Sequence, residues 1–233
     1  MRSPSDAELL SLWETGRAMD ALHRAVAVVC ATHPERSTDE VLDWPLGRRD
    51  RALLGVHAAR VGPSLDVVLT CPACEAQLEA SLPVEVLLAE PPPRDPFTVR
   101  HAGRELRARC ATTRDLAAVA HLTSADHARR ALAERLLLDP VPLDDALLAA
   151  LAEGAREADP LAEIRLEPVC AGCGAPFEAQ IEVVDHVWAG ITREVQALLR
   201  DVHELARAYH WSEAAILGLS PARRDAYLQM VRA

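Results

Sequence analysis

Lysine is absent: all 25 basic residues are arginine, set against 35 Asp and Glu, for a formal net charge of −10 over 233 residues. A free-standing nucleic-acid binder needs a positive face from which counterions are displaced, and this balance argues against one. Aromatic residues are also few, at 3%, although 50% of the chain is hydrophobic, mostly Ala, Leu and Val. Such a composition favours close-packed helices over an aromatic-rich β-sandwich. Apolar runs fall short of the roughly 20 residues that cross a bilayer. The opening "MRSPSDAELL" lacks the apolar stretch and small-residue cleavage site of a secretory signal. The expectation is a soluble, cytoplasmic protein with no membrane partner. Glycine is scarce, at ten residues, and there is no phosphate-binding glycine loop, no His-Glu-x-x-His and no Gly-x-Ser-x-Gly. The nine histidines are scattered without a spacing that suggests chemistry.

Six cysteines are present. In a reducing compartment they point to metal rather than to disulfides. Cys30 and Cys110 stand alone and read as small, buried apolar residues. The other four form two Cys-x-x-Cys knuckles, "CPACEAQLEASLP" at 71–83 and "CAGCGAPFEAQIE" at 170–182. Thiolates at i and i+3 in a tight bend present two sulfurs to one ion, which is half of a tetrahedral zinc shell. Behind each knuckle the apolar positions alternate, at 76, 78, 80, 82 and 84 and again at 175, 177, 179, 181 and 183. With the knuckles superposed, Leu65 and Val67 fall on Ile164 and Leu166, and Leu78, Glu79, Ala80 and Leu82 fall on Phe177, Glu178, Ala179 and Ile181. The pattern implies a duplicated strand–knuckle–strand unit.

Cys71, Cys74, Cys170 and Cys173 are therefore expected around one Zn, as a split zinc ribbon. The 95 residues between Cys74 and Cys170 replace the 15–20 or so of an ordinary ribbon. Two alternatives remain at this level. Each knuckle could recruit further ligands, among His57, His101, His121 and His186, although no spacing selects any of them. The four thiols could also be ordinary buried side chains. A thioredoxin-like redox role fits less well, because that chemistry places the first Cys at a helix N-terminus and both knuckles here lead into strands. Four thiolates also close the metal shell, leaving no position for a catalytic water; the expectation is a protein that is not an enzyme.

The fold class expected is α+β, mostly helical, with two zinc-knuckle β-hairpins. Residues 1–62 read as a helical segment, with helices at 5–15, 18–31 and 44–62 and polar turn material in "ERSTDEVLDW". The first knuckle hairpin spans 63–88. Residues 89–160 hold a proline-rich hinge, a hairpin turning at Gly103 and helices at about 113–121, 124–138 and 142–157. The second knuckle hairpin spans 161–183. From 184 to 233 come a long amphipathic helix, whose stripe includes Val184, Val187, Ile191, Val195, Leu198, Val202 and Leu205, and two short C-terminal helices. The basic stretch "GRRDR" at 47–51 reads as a solvated helix face or a contact for an acidic partner. "YHWSEAAILGLSPARRDAYLQM" reads as C-terminal core or as a docking surface.

Two stretches carry a resemblance. "WPLGRRDRALLGVHAARVGPSLDVVLTCPACEAQLEASLPV" resembles zinc-knuckle proteins encoded with phage-tail-like contractile injection systems, themselves similar to the T4-type baseplate family of contractile phages. "ARAYHWSEAAILGLSPARRDAYLQMV" resembles the C-terminal signature of proteins from such clusters, in which Trp, Ile and Leu precede an Arg-rich step and a Tyr. The resemblance implies a baseplate component or assembly factor whose partners are baseplate or tail proteins, and no catalysis. A reading of another class is a zinc-ribbon nucleic-acid or transcription-associated protein, which would need Arg48, Arg49, Arg51 and Arg165 on one face.

Overall fold

Cap chemistry sets most of the helix starts. Ser5, Asp20, Ser37, Thr112, Ser124, Asp144 and Ser212 each accept a backbone N–H from the first turn that follows. The computed structural model describes residues 2–232. Its first half runs α1 (Asp6–Gly16), α2 (Ala21–Thr32), α3 (Thr38–Leu42), α4 (Leu46–Arg60), β1 (Ser64–Thr70), β2 (Gln77–Pro83) and α5 (Val84–Leu88). The middle holds β3 (Phe97–His101), β4 (Arg104–Ala108), α6 (Thr113–Val119), α7 (Ala125–Leu136) and α8 (Asp145–Ala158). A short 3-10 turn, Pro160–Ala162, leads to β5 (Ile164–Leu166), β6 (Ala179–Ile181), α9 (Val183–Tyr209), α10 (Glu213–Leu217) and α11 (Pro221–Arg232). The fold is α+β, with three separate antiparallel hairpins: β1–β2, β3–β4 and β5–β6. No described helix is long and apolar enough to cross a membrane.

Apolar burial is divided among three clusters. The largest gathers Leu9, Val29, Leu53, Leu54, Leu65 and Ile191 from α1, α2, α4, β1 and the first half of α9, with Ile164 and Ile181 from the second knuckle hairpin. A second lies entirely between residues 97 and 158, with Val99, Leu106, Leu147 and Leu151 at its centre. The third joins the far end of α9 to α10 and α11 through Val202, Leu205, Ile216 and Leu228. There the C-terminal aromatics pack on one another: Tyr209 stacks on Trp211 at 4.8 Å and Tyr227 meets both edge-on.

Two elements differ from the sequence expectation. Residues 38–42 form a helix rather than a turn, because Ser37 and Glu40 complete a reciprocal capping box. The alternation behind the first knuckle stops at Pro83, which ends the strand and starts α5, so that Val84 is buried from a helix.

The "GRRDR" stretch is no solvated face either. Arg49 and Asp50 are buried as an ion pair, Nε to Oδ1 2.7 Å, and Arg49 also donates to Thr113 Oγ1 at 3.1 Å. Asp159 folds over the start of α4, where its Oδ2 accepts the Gly47 N–H at 2.9 Å. A Cβ at position 47 would overlap that carboxylate, so the close approach requires glycine. In the inserted unit, burial alone would raise Asp115, but Arg109, Thr112 and Arg135 bind its carboxylate and bring its pKa down to about 2.

Asp159 goes the other way. It is only 3% exposed, and burial, with the charges of Asp50 and Asp95 adding to it, raises its pKa to about 6 against the pull of the Gly47 amide and Arg49. The folded-state value lies above the unfolded one, so protonation stabilises the native state; this contribution is complete below about pH 4 and lost as pH rises through 6. Asp159→Asn keeps an acceptor for the Gly47 amide and removes the charge. Its stability relative to the wild type is expected to be near zero at pH 4 and to reach about 3 kcal/mol more stable at pH 7–8, read from urea unfolding across that range. A difference that does not change with pH would refute the assignment.

Candidate metal centre

The two knuckle hairpins are built alike, residue for residue. In the first, Leu65 pairs with Leu82, Asp66 with Ser81 and Val67 with Ala80; in the second, Ile164 pairs with Ile181, Arg165 with Gln180 and Leu166 with Ala179. Each pair of the second lies 99 positions beyond its counterpart, so both strands keep one offset. The second ladder is shorter because Pro168 and Pro176 stand where the first has Leu69 and Gln77, and proline has no N–H to give. Only a bridge between Val169 and Pro176 continues it towards the knuckle.

The knuckle turns match as well. Cys71 N–H donates to Ala76 O and Glu75 N–H to Cys71 O, both at 2.9 Å; Cys170 N–H donates to Ala175 O at 2.9 Å and Gly174 N–H to Cys170 O at 2.8 Å. The residue after the second cysteine is left-handed in both, Glu75 at φ 60° and Gly174 at φ 73°. Glycine adopts that backbone freely, whereas glutamate does so only at a cost.

This construction brings four sulfurs together. Cys71 Sγ lies 3.8 Å from Cys173 Sγ and Cys74 Sγ 3.6 Å from Cys170 Sγ, across separations of 102 and 96 residues. All four lie within 4.8 Å of one another, and theirs is the one group of three or more candidate ligands among the described residues. In each knuckle the first thiol is buried and the second exposed. A Zn–S bond of about 2.3 Å places the corners of a tetrahedron about 3.8 Å apart; the observed spacing therefore fits a metal held by four thiolates. Without a metal the thiols differ. The amides of Cys173 and Gly172 lower Cys170 to about 6, whereas Cys74, despite the Ala76 amide, is pushed up to about 12 by hydrogen bonds from Cys173 and Cys170. A bound divalent cation removes the difference by deprotonating every thiol it coordinates.

The histidines weighed as extra ligands lie elsewhere. His57 is buried, with Nε2 2.9 Å from the Ser64 carbonyl, and His101 Nε2 is 3.2 Å from Asp144 Oδ2. Burial, then the charge of His57, lowers His186. Of the remaining cysteines, Cys110 is buried, which pushes its thiol up to about 12, and Cys30 is half-buried. The four arginines singled out for a nucleic-acid face are all engaged within the chain. Arg48 lies 4.1 Å over the Trp44 ring, Arg49 pairs with Asp50, and Arg51 donates to the Leu88 carbonyl at 2.7 Å. Arg165 pairs with Glu163 and Glu178. Compared with protein-family models, curated proteins and solved structures, the chain has no match.

The paired left-handed residues yield a direct test. Glu75→Gly is expected to stabilise the protein by up to about 1 kcal/mol, and Gly174→Ala to destabilise it by a similar amount. Both are read from denaturant midpoints in the presence of zinc. Changes of the same sign at the two positions would contradict the shared turn geometry.

Proposed function

We propose that Cys71, Cys74, Cys170 and Cys173 hold one Zn2+ as four thiolates, and that the split zinc ribbon so formed is a structural clasp in a non-catalytic, protein-binding component. The observation that carries the metal reading is the meeting of four sulfurs at tetrahedral spacing from two hairpins nearly a hundred residues apart. Four thiolates leave no coordination position for a reacting water, which supports a structural rather than a catalytic ion. The energetics also favour a clasp: closing a loop of about 95 residues costs on the order of 4–5 kcal/mol, and structural zinc contributes about 10 kcal/mol or more.

The class of partner follows from the resemblance carried by residues 44–84 and the C-terminal stretch. It is a baseplate or tail protein of a contractile injection system, with this chain acting in the baseplate or in its assembly. The engagement of Arg48, Arg49, Arg51 and Arg165 within the chain favours this reading over a nucleic-acid partner.

Purified protein is expected to carry one zinc per chain, and cobalt substitution to give the absorption of a four-sulfur site. Cys170→Ser should weaken metal binding by more than 100-fold, since ligand loss exceeds the 10–100-fold cost of losing a supporting contact. The same change should raise amide exchange in residues 64–83 of the other hairpin. A folded, metal-free protein, or exchange changes confined to 164–181, would sink the shared site. Co-purification with baseplate or tail proteins expressed alongside tests the partner, and recovery of the chain alone would count against it.

A further inference from the structure

Most arginines of this chain are engaged by other groups of the chain. Apart from Arg104 and Arg223, those with no ion pair, no side-chain hydrogen bond and no aromatic ring beneath them, among the described residues, are Arg193, Arg200 and Arg207. All three are exposed, and all three belong to α9, at seven-residue steps. Seven residues make almost two helical turns, so the three guanidinium groups share one face, about 10 Å apart along the axis. The acids of α9 are held elsewhere. Glu194 pairs with Arg60, Asp201 with Arg224 and Arg232, and Glu204 with Arg232 at 2.8 Å. Asp185, also exposed, stands in the first turn of the helix, about 12 Å along the axis from Arg193. Asp66, across a groove from Arg193, accepts the Ser81 hydroxyl at 2.8 Å. A cationic stripe is thus left open on a chain whose formal net charge is −10.

Its spacing and surroundings select the anion. A nucleic acid is held by dense positive charge that displaces counterions, and three arginines on an acidic chain supply little of that. A helix lying on a membrane needs a free apolar face, but Val184, Val187, Ile191, Val195 and Leu205 are all buried in the cores. At physiological salt, charges are screened over about 8 Å, less than the spacing of the stripe, so each guanidinium acts singly. Each then calls for a carboxylate of its own, which the planar fork of arginine binds through two parallel hydrogen bonds. We propose that the outer face of α9 docks an acidic helix of a partner protein, in which Asp or Glu recurs at seven-residue steps, one carboxylate to each of Arg193, Arg200 and Arg207. Gln196 and His203, exposed between them, complete the polar strip. The inference rests on the protein-binding half of the reading above. Zinc content and co-purification are measured separately, so a failure here leaves each of those results to stand or fall by itself.

The test is a yeast-displayed library of alanine-rich helices of about 22 residues, long enough to span the stripe, with their outward positions varied among Glu, Gln and Arg. It is selected on the full-length protein at low salt and counter-selected on the combined variant Arg193→Gln, Arg200→Gln and Arg207→Gln. These exposed side chains lie outside all three cores, so the combined variant is expected to keep the wild-type urea midpoint. The selected pool is expected to carry Glu at seven-residue steps. An exposed ion pair strengthens binding by up to about fivefold, so a synthetic peptide from the pool should lose at least tenfold in affinity on the combined variant. Moving its acids to five-residue steps, which scatters them round the helix, should cost as much, and added salt should shrink both losses. A pool without acids, acids at no fixed step, or affinity unchanged on the combined variant would overturn the proposal. Failure to enrich any helix would overturn it too. Binding of a DNA duplex or of phosphatidylglycerol vesicles to the wild type and not to the combined variant, in that case, would assign the stripe to a polyanion instead.

Discussion

The close approach of four sulfurs at the tips of two hairpins fixes the relation between two stretches of chain that lie 95 residues apart. The first hairpin presents Leu65, Val67 and Leu69 to the main core, and the second adds Ile164 and Ile181 to the same cluster. Apolar packing thus brings the hairpin bases together, and the four sulfurs come together at the tips. The inserted unit has a core of its own, centred on Leu147 and Leu151, and its chain departs after α5 and returns at the 3-10 turn, beside the hairpin bases rather than the tips. A conserved register across the two hairpins, with one offset for both strands, is what aligns the buried and exposed thiol of one knuckle with those of the other.

A second junction works by different physics. Where the insertion returns to the core, the contact is polar and buried: Gly47 against Asp159, Arg49 against Asp50 and Thr113. Burying such groups gains little net stability and penalises any misfit heavily, so they define position more than they add strength. The raised pKa of Asp159 reflects that tension directly. Arg109 and Arg135 on Asp115 show the contrasting case, in which a buried carboxylate is fully matched and remains charged.

Local signals in the sequence had unequal reach. The knuckles were legible because i, i+3 thiols at a bend have few other physical uses, and their grouping followed from the duplicated alternation on either side. Helix α9 was legible because its stripe keeps one period from Val184 to Leu205. The capping box at Ser37 and Glu40 was also present in the sequence; "ERSTDEVLDW" was read by its polarity instead, and a five-residue helix was missed. Pro83 could equally have marked the end of strand β2, but the apolar rhythm ran through it by coincidence. The burial of "GRRDR" had no local signal at all, since what covers it is Asp159, 112 residues away.

Only Glu182 separates the end of the second hairpin from the start of α9. A helix of 27 residues is about 40 Å long, and this one ends in the aromatic cluster of Tyr209, Trp211 and Tyr227. With a single residue between them, the direction of the hairpin sets the direction of the helix, which runs from the main core to the C-terminal cluster. A tilt of about 5° at the knuckle end carries the far end through about 3–4 Å, a displacement comparable to the width of a side chain. The angle at which the second knuckle hairpin sits therefore bears on where the C-terminal aromatics lie.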